Sequence, residues 1–187
     1  MIAGTHLVLP PFEIISRIQK IHAPNTILAV SDGSVKGNNL TYGWVFGSSD
    51  GTIYAHHSGT GDGPPTSHRA EAWGMLSLIV FIYQLYEFTN ELKKPHQQTI
   101  EFISDNNGLE TRVRQRMGYQ TPYPNSTLLP DWDIVEQIHS LLLQIPHDRT
   151  EINWVKGHQD DTDEDLTTAA RFNIQADSLA AAAHHHK

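Results

Sequence analysis

Acidic side chains at the ends of apolar runs are the residues of this chain whose placement first suggests chemistry. Ile27 to Ser34 reads ILAVSDGS, a β-rich run that delivers Asp32 at its end and turns at Gly33 and Ser34. A buried strand that stops on a carboxylate sets a negative charge at the rim of a sheet, where a metal ion can offset the cost of holding it there. By itself a strand ending in Asp-Gly is more often just a turn. Thr99 to Ser104, however, repeats the arrangement as a short buried strand ending in Asp105. Further carboxylates arrive in positions suited to meet these, on the helices that follow.

The elements that must carry these groups are marked by periodicity and turn residues. Residues 1–26 hold a short helical pattern, Phe12 to Ile21, between Pro11 and Pro24, and read as a leader or linker packed on the domain. Strands are expected at Ile27–Ser31, Thr41–Gly47 and Thr52–His57. Gly37-Asn38-Asn39 and Ser49-Asp50-Gly51 turn them into an antiparallel meander. The run Gly59 to Pro65 breaks the sheet pattern. Thr66 or Ser67 can cap a helix starting near Arg69, whose body AEAWGMLSLIVFIYQLYEF is apolar on nearly every face. About 20 such residues would cross a bilayer, but Glu71, Gln84 and Glu87 interrupt the run and no basic cluster flanks it, which favours a buried central helix.

Asn106 to Arg116 reads as a helix bearing Arg112, Arg114 and Arg116, which could meet phosphates although their spacing spreads them around the cylinder. A Pro- and Asn-rich loop, Gly118–Pro130, leads to a helix from Asp131 or Asp133 to Gln144. A strand at Thr150–Val155 follows, then the acidic loop Asp160 to Asp165 and a closing helix over Leu166–Ala183. The loop lacks the central Gly and closing Glu of a calcium loop, and reads as solvated. The order β-β-β-α-β-α-α-β-α implies an α/β fold with a five-stranded mixed sheet and helices on both faces, spanning 27–183.

Composition sets outer limits. With 187 residues, 39% hydrophobic and 18% charged, the chain suits one globular domain with a sizeable core. The absence of cysteine excludes disulfides, thiolate metal sites and cysteine nucleophiles, and fits an intracellular setting, cytoplasm or nucleus. A net charge of −8 provides no general basic field, so any polyanion must be met locally. The start, MIAGTHLVLPPF, has no basic n-region and is broken by Pro10 and Pro11, so it does not read as a signal peptide. The closing AAAHHHK is either an expression remnant or natural sequence, and residues 184–187, as a tail, are left out of the metal argument.

Five short motifs bring these observations together: SDGS at 31–34, HRAE at 68–71, SDN at 104–106, VKGH at 155–158 and NIQAD at 173–177. Taken in this order, the set resembles ribonuclease H over about Ile27 to Ala181, and is similar to the ribonuclease H domains of retroelement reverse transcriptases. The resemblance implies the ribonuclease H-like fold and a site of four acids, Asp32, Glu71, Asp105 and Asp177. Four converging carboxylates would repel and shift their pKa values upward unless divalent cations join them. Oxygen-only ligands favour Mg²⁺ or Mn²⁺ over zinc, and two ions about 4 Å apart could activate a water and stabilise the leaving oxygen in phosphodiester hydrolysis.

The resemblance further implies that His158 assists proton transfer or product departure, and that Gly33, Ser34, Ser67, His68, Arg69, Asn106, Asn107 and Asn173 contact the nucleic acid. Ser67 and His68 stand where the family commonly has two asparagines, and their hydroxyl and imidazole can still hydrogen-bond a 2′-OH. Asn173 lies four residues before Asp177, on one helix face with it. The expected activity is cleavage of the RNA strand of RNA/DNA hybrids by a domain tethered to a reverse transcriptase. Two other readings are a silent binding or tethering module of the same fold and a DNA-directed nuclease of the superfold, such as an integrase or resolvase.

Overall fold

The structure, a computed structural model, describes residues 4–121, 125–157 and 165–185. Its core is a sheet in the order β1-β4-β3-β2-β5-β6. The strands are β1 (His6–Leu7), β2 (Ile27–Lys36), β3 (Asn39–Ser48), β4 (Ile53–Gly61), β5 (Ile100–Ser104) and β6 (Thr150–Trp154). β2, β3 and β4 form the expected antiparallel meander, while β5 and β6 run parallel to β2. The mixed α/β sheet was legible. Its strand number was not: six strands pair among the described residues, because His6 and Leu7 add to the free edge of β4 opposite His56 and Ala55. Two residues carry no readable alternation, so edge pairing alone reveals them.

Helices α1 (Pro11–Gln19), α2 (Ser67–Phe88), α3 (Asn107–Met117) and α4 (Trp132–Leu142) share the larger core on one side of the sheet. α1 has Pro11 at a position where a missing N–H costs nothing, and it buries Ile14, Ile15 and Ile18 there. α2 is capped by Thr66, whose hydroxyl accepts from the Arg69 N–H at 3.2 Å. It is apolar almost all round because the sheet covers one side and α3 and α4 cover others. Among the described residues no helix is long and apolar enough to cross a membrane.

The opposite face carries α5 (Thr168–Ala183), over a smaller core of Leu28, Val30, Val45, Ile103, Phe172 and Ala176. β2 is therefore buried on both faces, with Ile27 and Ala29 toward α2 and Leu28 and Val30 toward α5, which explains its unbroken apolar run. By the same alternation Asp32 and Ser34 fall on the α5 side and Gly33 on the α2 side. At Gly43, the partner of Asp32 across the ladder, an added Cβ would lie 2.4 Å from the Ala176 carbonyl oxygen, so glycine alone lets α5 rest on β3.

β2 does not end at Asp32. It continues to Lys36, and the reversal falls at Gly37 with φ +61°. Gly33 and Ser34 have the composition of a turn, but rungs to Tyr42 and Thr41 keep them extended. β4 likewise runs on through Gly59 and Thr60 to Gly61, opposite Tyr42, Thr41 and Leu40. Asp32 still stands at a rim, because the parallel pairing of β2 with β5 stops at Val30 and Ile103.

Candidate active site

Three carboxylates converge where β5 leaves the sheet. One oxygen from each of Asp32, Glu71 and Asp105 lies within 4.8 Å of the others. Asp32 projects from β2, and the Gly33 N–H donates to its Oδ1 at 2.7 Å. Glu71, in the first turns of α2, reaches the same spot because Gly33 has no side chain: a Cβ there would lie 2.3 Å from the Glu71 nitrogen. Ser104, fully buried at the end of β5, donates to Glu71 Oε2 at 3.1 Å and accepts from the Asn106 N–H at 3.1 Å. Asp105 follows directly, its carbonyl taking the indole N–H of Trp154 at 2.8 Å.

Gly157 closes in on the third carboxylate: an added Cβ would meet Asp105 Oδ2 at 2.3 Å. Gly157→Ala is therefore expected to displace that carboxylate and weaken divalent-cation binding about tenfold, the loss typical when a ligand's support is disturbed. Titration calorimetry with Mn²⁺ measures this directly, and unchanged affinity would show that the site tolerates the shift.

The electrostatics follow from burial. Asp32 and Glu71 are both about nine-tenths or more enclosed, at 5% and 4% exposure. Burial, reinforced by the charges of Asp105 and Asp177, pushes the Asp32 carboxyl up to about 7, against the hydrogen bonds from Glu71 and Gly33 that favour its charged form. Glu71 is pushed well above the usual carboxylate range by its burial and by Asp32 beside it. Both shifts run in the same direction, against full ionisation of the pair. An oxygen-only cluster that resists full ionisation by itself fits a hard divalent cation, which would let every ligand carry its charge.

Asp177 lies outside this trio, half-buried on α5, near enough for its charge to act on Asp32. His158 lies outside the described residues. Asn173 is buried, and its Oδ1 has no hydrogen-bond partner among them. Asn106 caps α3, accepting from the Leu109 N–H at 3.0 Å, while Asn107 and Ser67 are exposed in the first turns of α3 and α2. Ser34 Oγ lies 3.1 Å from His184 Nε2.

His68 and Arg69 have partners that the sequence did not announce. Asp131, in the left-handed region at φ +56° ahead of α4, meets His68 Nδ1 at 2.8 Å and accepts from Arg69 at 2.9 Å. Arg69 also donates to Asp133 Oδ2 at 3.0 Å and to the Asp62 carbonyl at 2.6 Å. These two side chains tie α2 to α4, although His68 Nε2, buried and without a partner among the described residues, is left over. The three arginines of α3 are engaged internally as well. Arg112 donates to the Pro130 carbonyl, Arg114 pairs with Glu110, and Arg116 is buried against Glu136. They support the α3–α4 region, so the phosphate contacts envisaged for them would require breaking those bonds.

Solved structures share this arrangement of strands and helices. Ribonuclease H1 of the halophilic archaeon Halobacterium salinarum is 22% identical, with 87% of this chain and 99% of that one covered and a TM-score of 0.55. The fold is that of ribonuclease H. LC11 ribonuclease H1, isolated from compost by a metagenomic approach and solved with an RNA/DNA hybrid, is 18% identical over 84% of this chain and 96% of its own, at a TM-score of 0.56. A foamy viral protease-reverse transcriptase, also in complex with RNA/DNA hybrid, is 12% identical. It covers 100% of this chain with 22% of its own, at a TM-score of 0.58. No protein-family model matches the sequence, and neither does any curated protein.

Within the ribonuclease H fold, sequence reasoning missed the residues that hold the acids in place. Ser104 and Gly157 lay inside quoted motifs without a role in holding the acids, Trp154 directly precedes one, and His184 belonged to the tail set aside. Only for Gly157 was there a signal, a glycine shortly after a strand, in the motif that carries His158.

Proposed function

We propose that this chain hydrolyses the RNA strand of RNA/DNA hybrids, using two Mg²⁺ ions for which Mn²⁺ can substitute, as the ribonuclease H domain of a retroelement polyprotein. The observation that carries this reading is the convergence of Asp32, Glu71 and Asp105 within 4.8 Å on a ribonuclease H fold. The likeness to a domain inside a viral reverse transcriptase supports the tethered setting. Asp32, Glu71 and Asp105 would hold the cations, with Asp177 closing the site from α5. Bound there, such ions lower the pKa of water and offset charge building on the phosphate.

The chain's own groups do the remaining work. Because burial holds the carboxyls of Asp32 and Glu71 above the usual carboxylate range, a cation held by them would favour their charged forms, so cation binding and proton release would be linked. Ser104 orients Glu71, while Trp154 and Gly157 orient Asp105. Ser34, Ser67, Asn107 and the unpartnered Nε2 of His68 are the groups offered to the nucleic acid, the buried Asn173 orients the site, and His158 is assigned to product release by the resemblance alone.

One gel tests the proposal. Labelled RNA/DNA hybrid, duplex RNA and duplex DNA are incubated with Mg²⁺ or with chelator. Cleavage of hybrid alone, lost with chelator, is the expected result. Cutting of duplex DNA would favour a DNA-directed nuclease, and binding without cleavage a silent module.

A further inference from the structure

His184 and the rung of the sheet below it extend the candidate site beyond its acids. On β2, Asp32 and Ser34 project to the same face, and across the ladder they pair with Gly43 and Thr41 of β3. α5 lies over both rungs. Its Ala176 carbonyl sits against Gly43, and its Ala180 carbonyl accepts from Thr41 Oγ1 at 2.7 Å. Asp177 and His184, seven residues apart, share a face of this helix across about two turns. Asp32, on which the charge of Asp177 acts, therefore has a neighbour two residue pairs along on the same face, made of Ser34, Thr41 and His184.

The protons of that rung can be assigned. Thr41 Oγ1 contacts the carbonyls of Ala180 and, at 3.4 Å, Ser34, and a carbonyl only accepts, so the threonine proton is committed to them. Thr41 Oγ1 lies 3.0 Å from His184 Nε2 and must be the acceptor there, so Nε2 carries a hydrogen. The same N–H reaches Ser34 Oγ at 3.1 Å. Ser34 thus accepts from the histidine, and among the described residues nothing takes its own hydroxyl proton.

We propose that His184 is a positioning residue that holds Ser34 as a hydrogen-bond donor toward a phosphate oxygen of the strand lying on the acid cluster. A phosphate oxygen can only accept, which matches a hydroxyl whose lone pairs are used from behind and whose proton is free. The inference rests on the nuclease reading above and extends its groove to His184, the residue that caps α5 at its C-terminal end and that the sequence reading assigns to the tail.

The test uses the full chain. Ser34→Ala and His184→Ala are each expected to raise KM for RNA/DNA hybrid about fivefold, the loss typical of one hydrogen bond, with a smaller change in kcat. The double variant should be no worse than either single one. His184→Gln, whose amide can donate to the same two oxygens, should restore KM to within about twofold. ¹⁵N spectra should place the hydrogen of the neutral His184 ring on Nε2. A purely structural histidine would lower the melting temperature in His184→Ala while leaving KM alone, and that outcome overturns the proposal. So does a ring protonated only at Nδ1, or additive losses in the double variant. A wild-type protein that cleaves no hybrid overturns the nuclease reading and with it the role of Ser34 toward substrate, whereas the spectrum decides the histidine geometry independently.

Discussion

Replacing Asp32 by Asn is expected to abolish hybrid cleavage and, without divalent cations, to make the protein more stable. Loss of a ligand should lower the rate by more than about a hundredfold, beyond the effect usually seen for residues that only support one. The stability gain follows from the displaced acid. Burial raises the Asp32 carboxyl from an ordinary 3.8 to about 7. A folded-state pKa raised in this way contributes stability that is fully present below 3.8 and lost as pH rises through about 7. At pH about 8 the cation-free wild type therefore carries the whole burden of the clustered charges. At roughly 1.4 kcal/mol per pH unit of displacement, relief is worth about 2–4 kcal/mol, the lower figure applying if Glu71 takes up the charge. In a chain of this size that corresponds to a rise of about 5–10 °C in Tm at pH about 8. Mg²⁺ should stabilise the wild type by mass action and leave the variant nearly unmoved. A lower cation-free Tm for Asp32→Asn at that pH would show that the acids do not oppose one another.

The opposite end of the sheet should respond to acid with the reverse sign. Tyr86, His96 and His147 stack there with ring centroids 5.0, 5.7 and 5.1 Å apart. His147 Nδ1 lies 2.6 Å from the Gln98 carbonyl, to which it must donate, so Nε2 is left to accept from the Tyr86 hydroxyl at 2.7 Å. The neutral ring is fully satisfied, and a second proton would meet a hydroxyl already pointing at it. Burial pushes the pKa of His147 down to about 4, from an ordinary 6.5. A base depressed in the fold contributes stability that is fully present above 6.5 and lost as pH falls toward about 4.

The expected loss over that window is about 3 kcal/mol. It runs against the gain from the acid cluster, so the cation-free wild type should show a shallow pH profile while Asp32→Asn loses stability steeply below pH about 6.5. His147→Ala should flatten that fall, and it should cost about 2–3 kcal/mol at neutral pH because the Tyr86 hydroxyl is left buried and unpaired. Urea unfolding of the single and double variants across pH measures both effects. An acid slope that survives in His147→Ala would assign it elsewhere.

Much of this molecule was written in local pattern. Asp105 at the end of an apolar run and the central helix with its single buried Glu71 were readable because a buried strand or helix must show its burial in its own periodicity. The ordered short motifs pointed to the ribonuclease H fold, and the structure brings Asp32, Glu71 and Asp105 together. What local pattern could not show is who meets whom across the fold. Gly33 and Ser34 look like a turn, yet rungs from Tyr42 and Thr41 hold them in a strand that runs on to Lys36. His68 and Arg69 look like groups for a ligand, yet Asp131 and Asp133, some sixty positions away, take the Arg69 guanidinium and one ring nitrogen of His68, because α4 packs against α2. His184 looks like a tail residue, yet two turns of helix carry it from Asp177 to Ser34.

By itself, then, the sequence determined which segments are buried and which of them deliver a carboxylate to a rim. Only the tertiary structure decided which polar groups stay available and which are consumed inside the protein. The physical reason is that hydrophobic burial is set by each segment's own periodicity, whereas a hydrogen bond or ion pair exists only once two distant surfaces have been brought within about 3 Å.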